Sequence, residues 1–189
     1  MRIISGKHKG FSLYLAKKEN TRPLKDRVRQ SIFNMLEHSN KFLFQLEKTT
    51  ILDLYAGTGS FGLECLSRQS KFVYFVENEK NTLKILEKNI KKLKLKNKVK
   101  IYFDDVFDVI EKKNISESKF DLIFCDPPFK DTSIEKLIEL VFNKKLLSKN
   151  GIIILHRNKT TREKLPNCIE IVEERTYGLS KIIFGKFLS

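Results

Sequence analysis

An open α/β sheet, mostly parallel, is the fold this sequence predicts, and three features predict it. From residue 49 onward, short apolar runs alternate with stretches of helical periodicity, the rhythm of strand–helix–strand units. The first run passes directly into a glycine turn, Gly57-Thr58-Gly59. Successive runs then end on or beside acidic residues: Asp53, Glu77, Asp105 and Asp126.

Taken in order, residues 50–54 form the first strand, and a helix follows through Leu63, Cys65 and Leu66. Residues 72–76 form the second. The next helix places Leu83, Leu86, Ile90 and Leu93 three and four apart, one apolar stripe beneath a row of lysines. Strand three, 99–103, leads to a short helix through Val106, Val109 and Ile110. Strand four, 120–125, stops at Asp126-Pro127-Pro128-Phe129, because two prolines remove two ladder donors. Ile134, Leu137, Ile138 and Val141 mark another helix, and 151–156 a fifth strand. Residues 169–172 and 181–187 then flank Tyr177-Gly178-Leu179-Ser180 as an antiparallel hairpin. The first 45 residues break this rhythm. Arg2-Ile3-Ile4 and Phe11-Ser12-Leu13 read as short strands around Gly6 and Gly10, followed by a helix with Val28, Ile32, Met35 and Leu36 inward and Arg27 and Arg29 pointing elsewhere. Two units result: a basic extension, 1–45, packed on the core, and a main domain, 46–189.

Among 189 residues, 41% are hydrophobic and 32% charged, and no apolar run reaches the length of a membrane span. Without a signal-peptide core near Met1, a cytoplasmic location is expected. Cys65, Cys125 and Cys168 lack metal-type spacing, so buried free thiols are expected and no metal. The net charge of +14 is concentrated: residues 1–45 carry ten basic against three acidic side chains, and residues 84–100 carry eight lysines against Glu87. Each block sums to +7, and the remainder balances to zero. Clustered positive charge suits a polyanion, since neutralising phosphates releases counterions. The first block, which mixes arginine with Phe, Tyr and Thr, therefore points to nucleic acid; the lysine block serves equally as a solvated helix face.

In such a sheet a ligand sits at the carboxyl ends of the strands, where chain order reverses. Gly57 and Gly59 let the backbone approach it closely, and Glu77 suits two ribose hydroxyls. The letters of Gly57-Thr58-Gly59-Ser60-Phe61-Gly62 match G-x-G-x-x-G, yet Asp53 precedes the turn and no lysine lies within it. A pyrophosphate would face an uncompensated carboxylate there. A cationic or zwitterionic ligand fits better, and S-adenosylmethionine offers an ammonium, a sulfonium, two ribose hydroxyls and an adenine amine. Asp126-Pro127-Pro128-Phe129 then forms a rigid platform with one carboxylate, free backbone carbonyls and an aromatic face. It suits a planar substrate bearing an amino group, with Phe129 stacking on the ring.

These residues together resemble the ordered motifs of class I S-adenosylmethionine-dependent methyltransferases that modify exocyclic amines. The leader, Arg2-Ile3-Ile4-Ser5-Gly6 and the run from Thr21-Arg22-Pro23 to Asn34, resembles the RsmD family. That resemblance implies a Rossmann-like sheet and methylation of N2 of a guanine in 16S ribosomal RNA, naked or in the assembling small subunit, by a monomer. It implies that Asp53, Gly57 and Gly59 line the methionine part, that Glu77 holds the ribose and Asp105 bonds the adenine amine, and that Tyr55, Ala56, Asn78, Val106 and Asp126 also border the cofactor. Asp126, Pro127, Pro128 and Phe129 receive the target base, with Arg22, Arg27 and Arg29 set against phosphates on charge alone. Leu24 and His156 depart from the pattern, threonine and an acidic residue being frequent there, and His156 is expected to be a structural strand-end residue. Two rival readings stay open: N6-adenine methylation of DNA, and a noncatalytic RNA-binding assembly factor.

Overall fold

The computed structural model describes residues 1–16, 24–42, 44–112, 115, 118–161 and 164–188. Strands β1 (Thr50–Leu54), β2 (Phe72–Glu77), β3 (Val99–Phe103), β4 (Phe120–Cys125), β5 (Leu147–Asn158), β6 (Ile169–Tyr177) and β7 (Ser180–Phe187) form one sheet in the order β3-β2-β1-β4-β5-β7-β6. The pairs from β3 through β5 are parallel, and β7 joins β5 and β6 antiparallel. Chain order reverses between β1 and β4, which makes their carboxyl ends the switch point where such sheets bind ligands.

Both faces of the sheet are covered, so its central strands are apolar on both sides. Ile51, Val73, Phe75, Leu122, Phe124, Ile152 and Ile154 pack on one face with α2 (Ser60–Ser67), α3 (Lys80–Lys92) and the leader. Leu52, Leu54, Val76, Ile123, Cys125, Ile153 and Leu155 pack on the other with α4 (Val106–Lys112) and α5 (Ile134–Asn143). The alternation is the period-two pattern of a pleated strand.

The leader belongs to the first core. Its hairpin is irregular, with one bridge, Arg2 to Ser12, in place of the two strands expected, although Ile3 and Phe11, Gly10 and Ile3, and Leu13 and Met1 share backbone hydrogen bonds of 2.9–3.0 Å. Glu64 of α2 anchors this hairpin, accepting from the backbone of Ile4 at 2.7 Å and Ser5 at 2.9 Å. Helix α1 (Asp26–His38) presents a stripe rotated from the expected one: Phe33 and Arg29 are buried with Val28, Ile32 and Leu36, while Met35 is half-buried. Aromatic packing causes the rotation. Phe33 stacks on Phe61 of α2 at 5.3 Å, and Phe61 stacks on Phe124 of β4 at 3.9 Å, which ties the leader to the strand that ends at Asp126.

Arg29 corrects the sequence reading outright. It is fully buried, donates to the carbonyls of Arg2 and Ser60 and to Asp26, and lies 4.0 Å from Glu64. Burial lowers its guanidinium's proton affinity, with Glu64 and Asp26 opposing the shift. It organises the leader and has no surface to offer a phosphate. Arg27 is exposed as expected, and Arg22 lies outside the described residues. Strands β5 and β6 run longer than their apolar cores indicate, because the carboxyl end of β5 and the polar end of β6 pair with β7 and the start of β5 pairs with β4 at Phe120. Cys65 and Cys125 are buried thiols, whereas Cys168 is only half-buried at the entrance to β6. Among the described residues there is no helix long and apolar enough to cross a membrane and no cluster able to hold a metal ion.

Candidate active site

Four strand ends build the site. At the end of β1, Asp53 is buried and its Oδ2 accepts the backbone N–H of Gly62 at 3.0 Å. This bond satisfies an orphan donor in the first turn of α2 and locks the turn between strand and helix. Burial drives the Asp53 carboxyl well above the usual carboxylate range, and the nearby charges of Asp126 and Glu77 push the same way against the Gly62 bond. Three carboxylates thus converge at the switch point. That accumulation disfavours a polyphosphate and favours a ligand carrying positive charge.

The turn after β1 is shaped by backbone geometry. Tyr55 takes a left-handed conformation with φ of 60°, and Gly57 follows at φ of 58°. Ala56 donates to the carbonyl of Val76 at 2.9 Å, which holds the turn against the end of β2. A Cβ on Gly57 would meet nothing within 4 Å, so the backbone there borders open space that a ligand can enter. Gly59 is crowded instead: a Cβ would stand 2.4 Å from Leu86 Cδ1. The first glycine leaves room at the site, and the other permits helix packing.

Glu77, at the end of β2, is mostly buried and accepts from Gly57 N at 2.8 Å through Oε2 and from Glu79 N at 2.8 Å through Oε1. Burial raises its proton affinity, and these backbone bonds oppose the rise. Two fixed oxygens beside an open glycine make a bidentate acceptor, the arrangement two vicinal hydroxyls require. Asn78 is exposed beside it. Asp105 caps α4, its Oδ1 accepting from Phe107 N at 2.9 Å. The Val106 side chain packs in the second core, which leaves its backbone as the part it can present.

The fourth strand end is the Asp126–Phe129 loop. Asp126 and Phe129 are half-buried, Pro127 is buried and Pro128 exposed. Two residues that sequence reasoning left out of the site hold this loop from opposite faces of β5. His156 Nδ1 lies 2.8 Å from Asp126 Oδ1, and the imidazole and Phe129 rings meet in a T-shaped contact at a centroid distance of 5.6 Å. Arg157, fully buried, donates to the carbonyl of Pro128 at 3.2 Å and that of Asp131 at 2.6 Å, with Pro127 O farther off at 3.5 Å, so the loop carbonyls are not free as expected but already share this guanidinium. His156 is therefore no bare strand end, since β5 continues to Asn158 and the imidazole touches the loop. Asp131 closes the loop, its N–H donating to Pro128 O at 2.8 Å, and the Tyr55 hydroxyl reaches Asp131 Oδ2 at 3.4 Å. Burial, reinforced by the nearby Cys125 and Asp131, raises the Tyr55 hydroxyl's proton affinity. The only advance signal was local: a histidine and an arginine ending an otherwise aliphatic strand.

Strand order, open glycine turn, convergent carboxylates and proline-fixed platform define the class I methyltransferase architecture. A crystal structure of a "putative methylase HI0767" from Haemophilus influenzae superimposes with a TM-score of 0.78 and 27% identity, covering 100% of this chain and 98% of that one. The profile described as "Conserved hypothetical protein 95" matches residues 1–186. The ribosomal RNA small subunit methyltransferase D of Haemophilus influenzae is 31% identical over 180 residues, 95% of this chain and 90% of its own. That of Buchnera aphidicola from Acyrthosiphon pisum is 34% identical over 157 residues, 83% and 78% of the two chains. The chain belongs to this family, the RsmD family of methyltransferases.

Proposed function

We propose that this chain transfers a methyl group from S-adenosylmethionine to the exocyclic N2 of a guanine in small-subunit ribosomal RNA. One observation carries the reading: the Asp126–Phe129 platform stands at the same switch point as the open Gly57 turn and the Glu77 carboxylate. The relatives, both ribosomal RNA small subunit methyltransferases, supply the substrate class.

The residues fit the cofactor. Glu77 would hold the ribose hydroxyls, the backbone at Gly57 would border the methionine part with Asp53 fixing that turn through Gly62, and Asp105 with Val106 would meet the adenine. When bound, S-adenosylmethionine would supply an electrophilic methyl carbon, its sulfur keeping the electron pair of the broken bond as the neutral thioether of S-adenosylhomocysteine. Asp126 and the Pro127 carbonyl do the rest. A guanine amine is a poor nucleophile because its lone pair is delocalised into the ring. By accepting its two N–H groups, the carboxylate and the carbonyl draw the nitrogen toward tetrahedral geometry and aim its lone pair. Phe129 stacks on the base, which must leave its helix or loop for the chemistry to reach it. As the nitrogen gains the methyl group it sheds one proton to Asp126, which passes it to water.

Incubation with labelled S-adenosylmethionine and, separately, naked ribosomal RNA, 30S subunits and DNA, followed by nucleoside analysis, tests the reading. Labelled N2-methylguanosine is the expected product. N6-methyladenine in DNA would replace it with a DNA adenine enzyme, and cofactor binding without transfer to any substrate would leave an RNA-binding assembly factor.

A further inference from the structure

The Asp126 carboxylate does not stand alone. Its Oδ1 is 2.8 Å from His156 Nδ1, and His156 Nε2 is 2.9 Å from Ser180 Oγ. His156 and Ser180 are both almost fully buried, on β5 and at the start of β7, whereas the Asp126 side chain keeps 21% of its surface exposed. The chain of contacts runs from the interior of the antiparallel hairpin to the mouth of the site.

We infer that His156 is a positioning residue for the methyl-accepting platform, fixing the Asp126 carboxylate and the Phe129 ring through one imidazole that Ser180 holds in place. A carboxylate oxygen only accepts, so Nδ1 carries the proton in this contact. Ser180 then donates to Nε2 in the neutral ring or accepts from it in the charged one, and in both cases the ring plane is held at two points. The bond occupies Oδ1 and leaves Oδ2 its lone pairs for the substrate amine. The T-shaped contact with Phe129, at an interplanar angle of 78°, fixes the stacking face at the same time. Arg157, the next residue, holds the Pro128 and Asp131 carbonyls from the opposite face of the strand. Consecutive residues of one strand point to opposite sides of the sheet, so β5 clamps the loop between two polar side chains. Positioning of this kind matters because an error of about 1 Å in a reacting group costs on the order of a hundred-fold in rate.

This inference rests on the proposed methyl transfer, and two variants separate it from a purely structural role. His156→Leu removes the donor while keeping apolar bulk. His156→Asn restores an N–H near the place of Nδ1. Turnover, KM for RNA, cofactor Kd and melting temperature are measured for each. His156→Leu is expected to lower kcat by about ten-fold or more, with cofactor Kd within about three-fold of the parent. His156→Asn should recover most of that loss even though its melting temperature falls as well. Equal kcat for parent and His156→Leu would overturn the role, as would an Asn variant as slow as the Leu variant. The bond itself is read without activity. In proton NMR of the nitrogen-15-labelled parent, a slowly exchanging, low-field Nδ1 proton of His156 is expected, displaced in Asp126→Asn. Its absence overturns the inference whatever the substrate proves to be, while a parent that shows it but methylates no ribosomal RNA leaves the contact standing and removes the functional reading.

Discussion

Asp126 and Asp53, both acidic and both at the switch point, are assigned different work by burial. Asp126 keeps part of its surface and a histidine partner. Asp126→Ala is therefore expected to cut kcat by about a hundred-fold or more while changing cofactor Kd little, as single-turnover transfer and equilibrium binding will show. Glu77→Ala should do the reverse, raising cofactor Kd by about ten-fold or more through the loss of charge-assisted bonds. Asp53 answers to pH instead. Its carboxyl, raised by burial above the ordinary 3.8, contributes stability that is full below that ordinary value and is lost as pH rises through the raised one. Asparagine can still accept from Gly62 and never charges. The melting temperature of Asp53→Asn relative to the parent should thus be greatest at about pH 8 and shrink toward about pH 5; a constant difference would place no buried charge there.

Among the elements, the leader and the β5 end show how packing reaches the site. The leader's hairpin turns at Gly6, whose φ is 78° and whose Cβ would fall 1.9 Å from the carbonyl oxygen of Ser67 in α2. Gly6→Ala combines left-handed strain with an unavoidable backbone clash and is expected to cost about 3 kcal/mol, read as a lower urea midpoint at unchanged m-value. The position of Arg29 follows from the same docking. A helix projection built on Val28, Ile32, Met35 and Leu36 puts arginine outside, yet Glu64 and the Phe33–Phe61 stack draw it in. Asn89 tells a similar story on α3: buried, it accepts from Tyr14 N at 2.8 Å and donates to the Thr58 carbonyl at 2.9 Å, joining the leader to the glycine turn. No spacing rule marks such a residue, because its partners lie 75 and 31 positions away.

For the whole molecule, the two blocks of +7 predict a steep salt dependence of RNA affinity. Arg27, exposed on α1, and Arg29, buried beneath it, allow a direct comparison. Arg27→Ala is expected to reduce the slope of log affinity against log salt by about 0.7 to 0.9, one phosphate contact. Arg29→Ala should leave the slope unchanged in the folded fraction and lower the urea midpoint, since it leaves the Arg2 and Ser60 carbonyls without their buried donor. Identical slopes for Arg27→Ala and the parent would remove that residue from the RNA-facing surface.

The sequence alone determined the strand succession, the reversal hairpin and the motifs at each strand end, because periodicity, proline placement and glycine turns are local constraints that short stretches of chain satisfy by themselves. Glu77 and the Asp126–Phe129 loop were legible for that reason. Only the tertiary structure decided that Arg29 is interior, that Asn89 and Glu64 bind the leader to the sheet, and that His156 and Arg157 grip the Asp126–Phe129 loop. Those outcomes depend on which buried polar group meets which partner, and desolvation makes each pairing compulsory only once distant segments have come together.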